Sequence, residues 1–187
     1  MDKIQRQFKV KRGDRTILYP FTTYSVIFQG NMHSQIANAL YKYLAAVMTE
    51  GCPAEDRRSV TSEPVLMIPT KQVAGSDLSL ITQKTDYKGN GKYQHDLVQS
   101  YFLDNDAHAL AIEVPVWDNE LLGHIDLIRL FPDKIQVCDF KPKAHKESKA
   151  ASQVHRYIDL LSRATWLPRH LFEGVYFDEQ YAYYITK

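Results

Sequence analysis

Apolar and polar residues change rhythm several times along this chain, and each rhythm predicts an element. Residues 7–29 are rich in β-formers, with a turn at Gly13-Asp14 and an apolar run from Tyr24 through Phe28 that Gly30-Asn31 stops. From His33 to Met48 the spacing lengthens, and Ile36, Leu40, Leu44 and Val47 recur at the interval of one helix face. Gly51-Cys52-Pro53 ends that helix, and a charged loop runs on through Arg58. Residues 63–83 hold no clean period, and Pro64-Val65-Leu66-Met67-Ile68-Pro69 is assigned a short strand. A polar, glycine-containing loop covers Thr85 to Lys92. Leu97, Val98, Tyr101 and Phe102 then mark a short helix from His95 to Leu103.

From Leu110 onward the period falls to two. Strands are expected at about 110–117, 122–131 and 134–141. Pro132-Asp133 makes a tight turn between the second and third, and Pro142 blocks extension of the third. A helix from about Glu147 to Ala164, buried through Val154, Tyr157, Ile158 and Leu161, follows. Strands at 172–177 and 181–186, joined at Asp178-Glu179, close the chain. This order predicts an α/β fold, a central mixed β-sheet flanked by helices. The 187 residues fit a single domain, with 1–90 an N-terminal elaboration and 91–187 the core that carries the chemistry.

Composition narrows the class. Hydrophobic residues at 44% and charged residues at 24% are ordinary for a globular domain long enough to bury its own core. The net charge of +1 does not announce a nucleic-acid partner, so local distribution matters more. Lys141, Lys143, Lys146, Lys149 and Arg156, with His145 and His155, face the single acid Glu147. Such a run is either a solvated face or a groove that tracks phosphates. Twelve tyrosines suit sheet surfaces and also the stacking of bases. Cys52 and Cys138 lack CxxC spacing, which argues against a disulfide framework and a four-cysteine metal site. A reducing, cytoplasmic setting is expected. The residues Met1 to Arg6 show no signal-peptide core, and no apolar run approaches the ~20 residues of a membrane helix.

The third of the period-two strands carries the chemistry. Alternation puts Ile135, Val137, Asp139 and Lys141 on one face, so a carboxylate and an ammonium follow two aliphatic residues on a side expected to be buried. Violations of that kind mark functional sites. The short turn brings Asp126 near Asp139, beside His124 and Ile128, and Glu113 with Pro115 lies on the remaining strand. Carboxylates converging beside a lysine suit a hard cation such as Mg²⁺. The metal lowers the pKa of a bound water, and the lysine positions that water or counters charge on a phosphodiester.

Four pieces in order, Glu113-Val114-Pro115-Val116, Gly123-His124-Ile125-Asp126, Asp139-Phe140-Lys141 and Gln153-Val154-His155-Arg156-Tyr157, resemble the PD-(D/E)xK nuclease superfamily. The match is nearest to its RecB-like exonuclease branch, which includes CRISPR-associated nucleases, and it covers roughly residues 91–160. The resemblance implies a restriction-endonuclease-like core. It makes Asp126, Asp139 and the carbonyl of Phe140 metal ligands for Mg²⁺, with Mn²⁺ able to substitute, and Lys141 the catalytic lysine. Gln153 and Tyr157 then share a helix face that lines the site or touches the DNA backbone, and Glu113 binds or orients a metal. The upstream histidine of the family, a further metal ligand by the resemblance, falls on His95, after Gly91-Lys92-Tyr93-Gln94, with His33, after Gly30-Asn31-Met32, as the alternative. Some relatives carry a four-cysteine iron–sulfur cluster, so two cysteines imply a clusterless member.

Each piece has a plainer reading. A D-x-K triplet on a strand is common, and Asp126 alone could pair with Arg129 or Lys134. Gln153 and Tyr157 could be a polar residue and a core tyrosine, and His95 and His33 ordinary helix residues. Their order and spacing together favour a metal-dependent deoxyribonuclease, exonuclease-like, in repair, recombination or defence. A sequence-specific endonuclease on the same core would need a base-reading element, and none is recognisable. A non-catalytic nucleic-acid-binding module is the third reading. DNA is the expected partner, single- or double-stranded, with a homo-oligomer or protein partner left open and no membrane.

Overall fold

The β-formers at the start of the chain build a hairpin, in which β1 (Lys3–Arg12) pairs antiparallel with β2 (Arg15–Tyr24) over ten positions. The computed structural model describes residues 3–12, 15–24, 32–50, 57–88 and 93–186, with side chains described at 36–47, 57–88 and 93–186. The expected Gly13-Asp14 turn, the run beyond Tyr24 with its Gly30-Asn31 stop, the Gly51-Cys52-Pro53 stop and Gly91-Lys92 lie outside the described residues. The helical period at 33–48 becomes α1 (Met32–Glu50), which buries Ile36, Leu40, Leu44 and Val47 as its spacing demands.

Strand β3 (Arg58–Ser59) and strand β4 (Thr70–Ala74) precede α2 (Asp77–Thr82) and α3 (Gln94–Asn105). Then come β5 (Ala109–Trp117), β6 (Leu121–Leu130), β7 (Ile135–Phe140), α4 (Ala150–Thr165), β8 (Phe172–Phe177) and β9 (Tyr181–Ile185). The nine strands described form one mixed sheet in the order β1-β2-β5-β6-β7-β8-β9-β4, with β3 added to β6. The chain is therefore α/β, a mixed sheet flanked by helices. One core cluster packs α1 and α4 on one face, through Leu40, Leu44, Val154, Ile158 and Leu161. The other packs α2 and α3 opposite, through Leu78, Val98, Phe102 and Leu103. Only β7–β8 and β3–β6 are parallel, and α4 makes the long crossover that a parallel β7–β8 pair requires.

The expected strand at Pro64–Pro69 is not one. A proline at each end removes a ladder donor, and the segment lies across α4 instead. There Ser152 Oγ accepts the Leu66 N–H at 2.5 Å and donates to the Leu66 carbonyl at 3.0 Å, while Arg156 Nη2 donates to the Pro64 carbonyl at 2.6 Å. The strand in this stretch is β4, and Ser76 starts α2 by accepting the Ser79 N–H at 3.1 Å. Among the described residues no helix is long and apolar enough to cross a membrane.

Candidate active site

Three neighbouring strands bring the acids into a row. Ile112 stands opposite Leu127, and Leu127 opposite Cys138, so the next positions along are Glu113 on β5, Asp126 on β6 and Asp139 on β7. At this row β6 changes partner. Its start pairs with β3 at Ser59↔Leu122 and its end with β7 from Leu127↔Cys138, and residues 123–126 span the change. Asp126 Oδ2 accepts the Phe140 N–H at 2.8 Å, so a carboxylate bridges the strands where the backbone register of β6 and β7 ends.

Alternation breaks at the same row. Ile112 and Val114 are two apart yet pack in opposite cores, as do Leu127 and Ile125. Regular strands keep such residues on one face. On β5 the break is visible in the backbone, because Glu113 has φ 54° in a region that non-glycine residues seldom enter. Holding it there costs about 1–3 kcal/mol, and such outliers cluster at functional sites.

One helix from each face then closes on the row. From α3, His95 Nδ1 lies 3.2 Å from Asp126 Oδ2, and Gln99 Nε2 donates to Glu113 Oε1 at 2.6 Å. From α4, Gln153 Nε2 donates to the Tyr157 hydroxyl at 2.6 Å and reaches Asp139 Oδ1 at 3.4 Å. Each helix thus presents an i, i+4 pair on one face. Tyr157 is buried in the α4-side core, so its hydroxyl serves Gln153 rather than solvent. Gly123 is small because it must be: a Cβ there would collide with the Tyr157 ring and stand 3.0 Å from Val60. Lys141, just beyond β7, sets its Nζ 2.7 Å from Asp139 Oδ2. That contact is an ion pair on a fully buried oxygen.

The electrostatics are those of a site with too much negative charge for its depth. Burial lifts the Asp139 carboxyl to about 7, with the Asp126 charge adding to the rise and Lys141 opposing it. Burial likewise lifts Glu113 to about 7, again with Asp126 adding. At His95 burial pulls downward, but the hydrogen bond and charge of Asp126 outweigh it and hold the ring above its ordinary value. In this arrangement His95 is the partner of Asp126. Burial also pulls Lys141 downward, and Asp139 and Asp126 more than compensate.

Among the described residues no group of three His, Cys, Asp or Glu side chains is assembled to hold a metal. Each acid is held by a neighbour: Asp126 by His95, Asp139 by Lys141, Glu113 by Gln99. The donor chemistry nevertheless suits a hard cation. Two buried carboxylates and a half-buried one, with Asp139 and Glu113 raised by burial and by the charge of Asp126, are the groups a divalent ion would ionise.

The structure thus brings Glu113, Asp126, Asp139, Lys141, His95, Gln153 and Tyr157 into one cluster, with Phe140 donating its N–H to it. The alternative histidine, His33, falls in α1, and its side chain is outside the described residues. The plain pairing of Asp126 with Arg129 or Lys134 does not occur. Arg129 binds Asp106 and Asp77, and Lys134 binds Glu173. Gln99 went unread in the sequence, although its position four residues after His95 was a usable signal. Lys143, His145, Lys146 and Lys149 are all exposed on the segment between β7 and α4, a basic rim beside Lys141.

The raised acids make a pH prediction. Asp139 and Glu113 keep their protons to about pH 7 when folded but lose them near 4 when unfolded, so their contribution is full below that value and is lost as pH rises through 7. His95, also raised, acts in the same direction. Asp77 and Asp118 are lowered, and their contribution is lost only on acidification below about 4. In EDTA the thermal midpoint should therefore fall between pH 5 and pH 7.5, as read by calorimetry, and Mg²⁺ should raise it more at the higher pH. A midpoint that stays level would mean these acids ionise in the folded state without penalty.

Comparison of the chain with protein-family models, with curated proteins and with solved structures returned no match.

Proposed function

We propose that this chain is a Mg²⁺-dependent nuclease with a restriction-endonuclease-like core of the PD-(D/E)xK type, hydrolysing DNA phosphodiester bonds in an exonuclease-like manner. The observation that carries this reading is the row of Glu113, Asp126 and Asp139, joined by a half-buried Lys141 on Asp139, at the place where β6 changes partner. Asp126 and Asp139 would hold the metal, with Glu113 and the Phe140 carbonyl completing an oxygen-rich set. Mg²⁺ held there would supply a water of lowered pKa and positive charge for the reacting phosphate, and Mn²⁺ would substitute.

The chain's own residues supply the rest. Lys141 is close enough to Asp139 to share its charge and to orient a water or counter charge on the transferring phosphate. Gln153, steadied by Tyr157, holds the other Asp139 oxygen, and His95 holds Asp126. The exposed cations from Lys143 to Lys149 offer a track for the backbone leading to this point.

A second reading is favoured by one observation, that every acid of the row is already engaged by a protein neighbour. It is a nucleic-acid-binding module that keeps the fold without catalysis. End-labelled single- and double-stranded DNA incubated with Mg²⁺, Mn²⁺ or EDTA separates the two. Metal-dependent loss of terminal nucleotides is expected. DNA that is bound but uncut under every metal would sink the nuclease and leave the module.

A further inference from the structure

Among the described strands, the hairpin β1–β2 joins the rest of the sheet through β2 and β5. Its register with β5 is Thr22↔Ile112 and Thr23↔Ala111, so Phe21 is the position level with Glu113. From Phe21 back to Arg15 the paired strands run on beyond that contact for seven residues, about 23 Å at a strand's usual rise. β5 and β7 are both antiparallel to β6 and therefore run the same way. The free part of the hairpin accordingly extends along the direction in which β7 passes from Asp139 to Lys141. Its root stands two strands from Asp126, about 10 Å at the usual spacing.

The composition of this projection is one-sided. The two strands hold Lys3, Arg6, Lys9, Lys11, Arg12 and Arg15 and no acid at all, in a chain whose net charge is only +1. Residues outside them are thus net negative. At the far end Arg12 stands directly opposite Arg15. Like charges at directly opposed positions destabilise a hairpin. Asp14 is the one acid between these two arginines in sequence, so the cations of the hairpin outnumber it and an anionic partner would relieve their repulsion.

We propose that the β1–β2 hairpin is an arm that grips the phosphate backbone of the nucleic acid on the Lys141 side of the acid row. The inference rests on the nuclease reading for its direction, since a row of acids alone repels DNA and needs cations nearby to hold the strand. A projection of about 23 Å spans roughly six or seven phosphates of one strand at about 3.4 Å each. Contacts of this type carry affinity and salt dependence without base specificity.

The test compares the full chain with the quadruple variant Lys9→Ala, Lys11→Ala, Arg12→Ala, Arg15→Ala. Binding of fluorescein-labelled single-stranded and duplex DNA is measured by anisotropy across KCl concentrations, with Ca²⁺ in place of Mg²⁺, and cleavage separately at saturating DNA with Mg²⁺. The variant should bind at least about tenfold more weakly, and its log K against log salt slope should shrink by about three to four on duplex. Its cleavage rate at saturation should stay within about twofold of wild type. A charge-preserving variant, Lys9→Arg, Lys11→Arg, Arg12→Lys, Arg15→Lys, should keep the wild-type slope. If it loses the slope too, the hairpin acts through its structure alone and the proposal falls. Wild-type affinity and slope in the quadruple variant, or no DNA binding by the wild-type chain, would also overturn it. Wild-type protein that binds but never cuts would overturn the nuclease reading and leave the arm standing.

Discussion

Lys141→Met should lower the turnover of DNA cleavage by at least about 10³-fold while leaving Mg²⁺ binding intact or tighter. The two effects part because the ammonium does two things at once. It occupies Asp139 Oδ2 at 2.7 Å, where it competes with a divalent cation for the same charge, and it stands where charge would develop on a phosphate. Methionine keeps most of the buried length and removes only the charge. Asp139→Asn, by contrast, should lose both readouts, because the amide cannot supply an anionic ligand. Cleavage assays beside calorimetric Mg²⁺ titration distinguish the pair. Wild-type turnover in Lys141→Met would remove this lysine from the chemistry.

Arg129→Met should destabilise the fold by about 3–5 kcal/mol. The guanidinium is 1% exposed and donates through Nε to Asp106 at 2.6 Å, through Nη1 to Gln136 at 2.8 Å and through Nη2 to Asp77 at 2.6 Å. Asp106 caps the end of α3 and Asp77 begins α2, so one residue of β6 ties both helices to the sheet. Most of the loss comes from Asp106, whose side chain is 4% exposed and would keep its charge with only the His108 N–H, at 3.0 Å, to hold it. Asp77 is 55% exposed and contributes little, because water replaces its partner. The double variant Arg129→Met, Asp106→Leu should recover much of the stability in urea unfolding. A single-variant loss below about 1 kcal/mol would show that the clamp is incidental to the fold.

The sequence made some of this site visible and hid the rest for physical reasons. The strands and helices of residues 94–185 lie close to where the sequence places them, because each is apolar enough to be held by the layers packed on it. Asp139 stood out because it breaks that pattern at a position 0% exposed. Pro64–Pro69 misled because its apolar composition reads as a buried strand, whereas hydrogen bonding to Ser152 and Arg156 holds it over a helix. The left-handed turn of the backbone at Glu113 could not be read, since propensity disfavours it and only the surrounding strands enforce it. Gln99 was missed because a buried glutamine on a weakly amphipathic helix looks like any polar residue until its partner across the sheet is known. Arg129 was read as a surface residue for the same reason, as its acids lie 23 and 52 residues away.

The pairing of β4 with β9 gives the chain an order of completion. Thr70 must wait for Ile185, while the acids and the helices that hold them come from one continuous span between α3 and α4. As the polypeptide is made, that span is finished well before β4 has a neighbour. In the interval β4 is an unpaired edge, preceded closely in sequence by a stretch whose Val65, Leu66 and Met67 stay exposed even in the finished protein. Closing a loop of this length is among the slower steps a domain performs. The vulnerable moment in the life of this protein is therefore birth rather than work: its hazard is self-association of a strand still waiting for its last partner.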